Sequence, residues 1–279
     1  MASKAGGNRK TDKFVVAGGS KRGWTTWLTA LDTRVVAIAP IVIDVLNLQE
    51  SMRHHYSAYG FWAPSVGDYT RAKIFDWFGT PQLKELQKLV DPYYYRHRLK
   101  LPKYIVNAAG DQFFLPDSSQ FYFDDLIGEK MLRYVPNGDH SLAGTEVAQD
   151  LLAFFITILR NKPRPSLAWK FKGPAEMSAT PSMPAAYVLQ WVATNPDARD
   201  FRVETLGKQY VSKEVKPLSD GSYVARVSAP EKGWRAYFLE FHFDLGIGIP
   251  YRITTPIRVI PDVLPFKDKS FQSKLTAGN

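Results

Sequence analysis

FVVAGGSKRGWTTW, Phe14 to Trp27, sets four apolar residues directly against two glycines, a serine, two cations and a third glycine. The apolar run predicts a strand over Lys13–Ala17. Trp24, Trp27, Leu28 and Leu31 then recur at the i, i+3, i+4, i+7 spacing of one helix face, which predicts a helix from about Trp24 to Leu31. Ser20 stands on the corner between the two. One reading is an ordinary strand-to-helix connection. The other is a nucleophile on a strained turn, where small neighbours are needed because the backbone nearly collides with itself. The glycine of a G-x-S-x-G motif that should follow two residues after the serine is Arg22 here, and the glycine comes one later, at Gly23.

The flanking sequence chooses a fold class. VVAIAPIVI (Val35–Ile43) is a continuous apolar run, as a strand covered on both faces should be. KYIVNAAG (Lys103–Gly110) and the shorter KMLRYVP (Lys130–Pro136) repeat the style, and a long amphipathic helix is predicted over Thr145–Arg160, closed by Pro163 and Pro165. Buried strands alternating with helices predict an α/β layer with a mostly parallel sheet. The segment from Asp44 to Leu99 is too long and too aromatic for a simple crossover, so a folded, helical cap is expected there. Tyr56, Tyr59 and Trp62 are its candidates for lining a substrate pocket; the competing expectation for any ring is the cap's own core.

After Pro165 the pattern changes to period two. AYVLQWVAT (Ala186–Thr194), GSYVARVSA (Gly221–Ala229) and RAYFLEFHF (Arg235–Phe243) alternate, with Asp220-Gly221 and Lys232-Gly233 as turns. The expected organisation is a basic leader over 1–12, a partial α/β domain over 13–165 with the cap at about 44–99, a small all-β, sandwich-like domain over 166–265, and a polar tail over 266–279.

Composition narrows the function classes. With 45% hydrophobic and 23% charged residues among 279, the chain is globular in composition and not disordered. No apolar run reaches the roughly 18–20 residues of a membrane span. The absence of cysteine excludes disulfides and thiol catalysis. The net charge is +9, and Lys4, Arg9, Lys10, Lys13, Lys21 and Arg22 crowd the start against Asp12 alone. A solvated leader is the expectation, against a nucleic-acid or anionic-membrane contact, because no nucleic-acid-binding motif follows. No apolar core follows these basic residues either, so they are not read as a secretory signal.

A nucleophilic serine needs a base, and the base needs an orienting group. Where serine lies on a strand-to-helix elbow, the acid and histidine follow in that order on loops after later strands. YIVNAAGDQFFLPD puts Asp111 just past one buried strand, and LRYVPNGDHSLAG puts His140 just past the next. Ser20, Asp111 and His140 are therefore the candidate catalytic residues, with the Lys21 backbone N–H as an oxyanion donor. Asp44 is the rival acid, and Asp139 reads as a turn residue. The side chains of Lys21 and Arg22 are expected in ion pairs rather than on an anionic substrate. His54 and His55 are adjacent, so on a helix they point about 100° apart and chelate poorly. His97 lies in a basic run and His242 in the β region; no metal site and no cofactor are expected.

Together FVVAGGSKRGWTTWLTALDTRVVAIAPIVIDVLN, HHYSAYGFWAPSVGDY, GDQFFLPDSSQFYFDDL and LRYVPNGDHSL resemble the PhoPQ-activated pathogenicity-related protein family, which includes the autocrine proliferation repressor proteins. The resemblance covers about Lys13 to Val263. It implies an α/β-hydrolase fold with a C-terminal β domain, exported members with poorly defined substrates, and a triad at Ser20, Asp111 and His140. In such a fold several strands precede the nucleophile and supply a second oxyanion N–H. Those N-terminal strands are expected to lie outside this chain, so that a missing segment or a partner chain completes it. Losing that donor would cost about 10²–10³ in rate. The expected function is a serine hydrolase acting on an ester or amide, peptide-like bond of a small-molecule or peptide substrate, with no nucleic-acid partner. The alternative is a non-catalytic secreted binding or signalling protein that keeps the hydrolase fold.

Overall fold

In a computed structural model that describes residues 12–267, the apolar runs become four parallel strands. These are β1 (Phe14–Gly19), β2 (Val35–Ile41), β3 (Lys103–Ala108) and β4 (Lys130–Val135), side by side in that order. Registers such as Ala17 opposite Ala39 and Ile105 opposite Leu132 bring their C-terminal ends to one edge. Every residue of β3 is buried, Lys103 included. That lysine is tolerated because its ammonium donates to the carbonyls of Leu99, Leu101 and Ile127 at 2.7–2.8 Å. The leader and the tail expected from the sequence lie outside the described residues, apart from Asp12, Phe266 and Lys267. Phe266 is held: its N–H donates to the Ser57 carbonyl at 2.9 Å.

The segment between β2 and β3 folds as helices Leu48–Tyr59, Gly67–Arg71 and Pro81–Val90, joined by 3₁₀ turns. Pro81 opens its helix at N1 and Thr80 caps it by accepting from Leu83 N–H at 3.3 Å. Asp91 closes the cap on itself, accepting from Leu48 N–H at 2.9 Å and Tyr93 N–H at 3.0 Å. The helix Val147–Leu159 follows the loop that carries His140.

Five further strands make a mixed sheet of nine with the parallel four. They are β7 (Tyr187–Asn195), β8 (Val211–Val215), β10 (Trp234–Phe243), β11 (Tyr251–Thr254) and β12 (Arg258–Ile260). The order runs β1-β2-β3-β4-β11-β10-β7-β8, with β12 on β10. A separate antiparallel sheet of β5 (Leu167–Phe171), β6 (Glu176–Pro181) and β9 (Tyr223–Arg226) packs against it, burying Met177, Ala179 and Tyr223 in one cluster with Val188, Leu239 and Phe241. The region that the sequence sets apart as all-β is thus two-layered, and its larger layer continues the parallel sheet. The seam is narrow: Thr254 pairs with Leu132, Thr254 Oγ1 accepts from Tyr134 N–H at 3.0 Å, and the Tyr104 hydroxyl donates to the Arg252 carbonyl at 2.6 Å.

A buried ionic cluster reinforces the seam. Arg133 of β4 donates to Asp150 at 2.8 Å and to Glu240 of β10 at 2.6 Å. Arg252 of β11 takes the other Asp150 oxygen at 2.8 Å, and His242 pairs with Glu240. Arg252 also pairs with the exposed Glu146 at 2.9 Å, so each buried arginine and each buried carboxylate of the cluster has a partner of opposite charge. That balance is the condition under which buried charges are tolerable.

Candidate active site

Ser20 is the single residue between β1 and the helix Lys21–Thr29, with φ 56° and ψ −124°. A side chain is rare at that φ, and Ser20 accepts it while its hydroxyl makes no capping bond. Its N–H is tied to the Ile41 carbonyl at 2.8 Å, which pins the corner to the end of β2. The flanking glycines have different reasons. A Cβ on Gly18 would stand 2.7 Å from the Arg22 carbonyl oxygen, and one on Gly23 would stand 2.8 Å from Ile43 and 3.0 Å from the Gly18 and Ile41 carbonyls. Gly19 has nothing within 4 Å. The close approaches therefore fall at the second residue before Ser20 and the third after it. That explains why the later glycine is Gly23 and why Arg22 is admissible.

Asp111, beyond β3, is buried, and both its oxygens face His140 Nδ1, at 2.8 and 3.0 Å. Oδ1 also accepts from Phe113 N–H at 2.7 Å, fixing the carboxylate from behind. Burial pushes the Asp111 carboxyl up, and the His140 contact pulls it back down. His140 is held by its own N–H, which donates to Gln112 at 2.8 Å, and by the Phe113 ring 4.1 Å away. With Nδ1–H given to the carboxylate, Nε2 carries the lone pair, and this nitrogen is buried with no hydrogen-bond partner.

Two cavities meet at Ser20. One also holds Gly19, Ile41, Val42, His140 and Leu142. Three of its residues, Ser20, Val42 (φ 44°) and Leu142 (φ 52°), have left-handed backbone. Such strain gathers where surrounding structure over-determines it, commonly at functional sites. The other cavity, of about 210 Å³, is lined by Ser20, Lys21 and a mostly apolar wall from the helix after Ser20, the segment just beyond β2, the cap and Phe113-Phe114.

The PhoPQ-activated pathogenicity-related protein family matches this sequence over residues 1–202. The chain belongs to that family. Autocrine proliferation repressor protein A of Dictyostelium discoideum is 35% identical over 286 residues, an alignment taking in 92% of this chain. The chain spans 58% of that curated relative's length. Among solved structures, acetyl xylan esterase 1 from Thermoanaerobacterium sp. JW/SL YS485 is similar at a TM-score of 0.40 and 18% identity, over 55% of this chain and 47% of the esterase. Mouse alpha/beta hydrolase domain-containing protein 10 is similar at 0.35 and 13%, over 57% and 66%.

In this PhoPQ-related chain, several residues stand elsewhere than the sequence suggests. Tyr56, Tyr59 and Trp62 do not line the cavity beside Ser20. Trp62 stacks on Phe75 at 3.7 Å and contacts Tyr56 at 5.0 Å, while Tyr59 is buried against Ala58, Ala63 and Leu115. The rings on the cavity are Trp24, Tyr69, Phe75, Phe113 and Phe114. Lys21 and Arg22 are exposed and, contrary to expectation, form no ion pair with a described residue. Asp139 is a turn residue, accepting from Ser141 N–H at 2.9 Å and Oγ at 2.6 Å.

Asp44 does not reach His140. Its two oxygens accept from the Tyr122 and Tyr134 hydroxyls at 2.6 Å each, and burial pushes its carboxyl up to about 7 against those two bonds. His54 is equally committed: it bonds Asp117 at 2.9 Å, and Arg199 bonds the other Asp117 oxygen at 2.6 Å. His55 is buried, accepts from Ala63 N–H at 3.1 Å and is lowered to about 3 by burial, which keeps it neutral.

Proposed function

We propose that this chain is a serine hydrolase that cleaves an ester or amide bond by acyl transfer. Ser20 Oγ attacks the carbonyl carbon while His140 Nε2 takes its proton, and Asp111 holds the ring and balances the imidazolium. The Lys21 N–H, the first of the helix's unpaired amides, donates to the oxyanion. The carbon–oxygen or carbon–nitrogen bond then breaks, the leaving group recovers the proton from His140, and a water deprotonated by the same nitrogen releases the acid.

The supporting observation is one imidazole with its two nitrogens differently used. Nδ1 is fixed by a buried carboxylate, Nε2 is buried without a hydrogen-bond partner, and His140 lines the same cavity as Ser20, a serine with left-handed backbone. Hydrolysis of p-nitrophenyl acetate tests the reading. Ser20→Ala and His140→Ala are expected to remove turnover, and Asp111→Asn to lower kcat by about 10⁴, as the loss of the correct tautomer does in a serine protease. Turnover that survives Ser20→Ala would sink the proposal.

A further inference from the structure

We infer that the cavity of about 210 Å³ beside Ser20 is the acyl pocket of this site and takes a medium-length aliphatic or phenyl-bearing acyl chain; the inference rests on the serine-hydrolase reading above. Two observations assign the side of the bond. His140 shares its cavity with Ser20 but does not line this one. The leaving group must depart where His140 can protonate it, so the acyl group is left with the cavity that Ser20 and Lys21 share.

The chemistry of the wall sets the class. Lys21, Asp68 and Tyr69 are exposed and make a polar rim, whereas Val45, Met52, Val66 and Phe75 are each less than 5% exposed and make an apolar floor. A carbonyl is thus held at the rim and a hydrocarbon beyond it. Size follows by comparison with a cavity of about 150 Å³ lined by Leu, Ile and Phe, which binds benzene. At the same density, about 210 Å³ accommodates roughly eight carbons. Acetyl would leave most of that surface uncovered, and lauroyl would not fit without displacing the cap. Each buried methylene is expected to raise kcat/KM about fourfold until the floor is reached.

The test is a series of p-nitrophenyl esters from acetate to laurate, with fluorophosphonate labelling of Ser20 in parallel. The predicted profile rises from acetate to hexanoate or octanoate and falls at laurate. Val66→Phe is expected to move the optimum to butyrate or shorter, and Val66→Ala to move it longer. A profile that is flat or highest at acetate, on protein whose Ser20 is labelled, overturns the acyl pocket and leaves the hydrolase reading intact. Absence of labelling on folded protein overturns the hydrolase reading instead. Calorimetric titration of octanoate and acetate into the Ser20→Ala protein then decides the pocket alone: octanoate bound at least tenfold tighter supports it, and equal or no binding overturns it.

Discussion

The buried carboxyl of Asp44 makes the stability of the fold depend on pH. That carboxyl stands at about 7 in the folded chain against 3.8 for an ordinary aspartate, burial being the main cause. Between those values the native state holds a proton that the unfolded chain has released. This contribution to stability is therefore complete below pH 3.8 and lost as pH rises through about 7. Its full span is at most about 4 kcal/mol at 1.36 kcal/mol per unit. Asp44→Asn removes the dependence, so urea denaturation should show the variant gaining on the parent from pH 4 to pH 8; a constant difference would contradict the assignment. The positions of Asp111 and His140 were legible because each follows a buried strand directly, and the sheet then forces them to one edge. The pocket rings were not: aromatic content says that the cap has a core, but which face of a short helix turns toward Ser20 is a tertiary property. The ion pairs expected of Lys21 and Arg22 failed for a similar reason, since a carboxylate's distance cannot be read from charge alone.

At the corner Gly18–Gly23, packing predicts an ordering of three substitutions. Gly23→Ala and Gly18→Ala place a methyl against backbone carbonyls that cannot move aside. Each should cost about 1–3 kcal/mol, and both should lower the reactivity of Ser20. Gly19→Ala meets nothing within 4 Å and should stay within about 0.5 kcal/mol of the parent by chemical denaturation. Equal costs at all three positions would mean that the corner is not over-determined as described. The sequence places the helix start at Trp24, but the helix begins at Lys21, because the chain enters it straight from the strained serine, before any periodic apolar residue. The four parallel strands were found within a few residues of their ends. β8, reading VSKEV and almost wholly exposed, and the short β12 carry too little alternation to be seen. β5 and β6 were missed too, since one alternating turn of chain is common in loops.

At the scale of the whole molecule, the question is how the C-terminal strands hold to the parallel sheet. The backbone seam between β4 and β11 is narrow, and the junction is held by shared apolar packing, with Tyr104 and Met131 in one cluster with Tyr251 and Ile253, together with the ionic cluster around Arg133. Arg133→Met leaves Glu240 and one Asp150 oxygen buried without their arginine, and should cost about 3–5 kcal/mol. Tryptophan fluorescence and far-ultraviolet circular dichroism should report one coincident urea transition in the parent. Two separated transitions would instead favour the independent α/β and all-β domains that the change in sequence period suggests. That change was legible; the shared sheet was not, because strand order across a junction leaves no mark on local periodicity. A chain spanning 58% of its curated relative's length also leaves the activity of the longer protein to be measured on that protein.

The central claim is that Ser20 is a nucleophile activated by His140 and Asp111, and the most direct measurement is labelling of monodisperse protein with a fluorophosphonate, read by intact mass. A single adduct is predicted, absent in Ser20→Ala and strongly slowed in His140→Ala. A folded protein that takes up no label, or one labelled equally well after Ser20→Ala, would contradict the account.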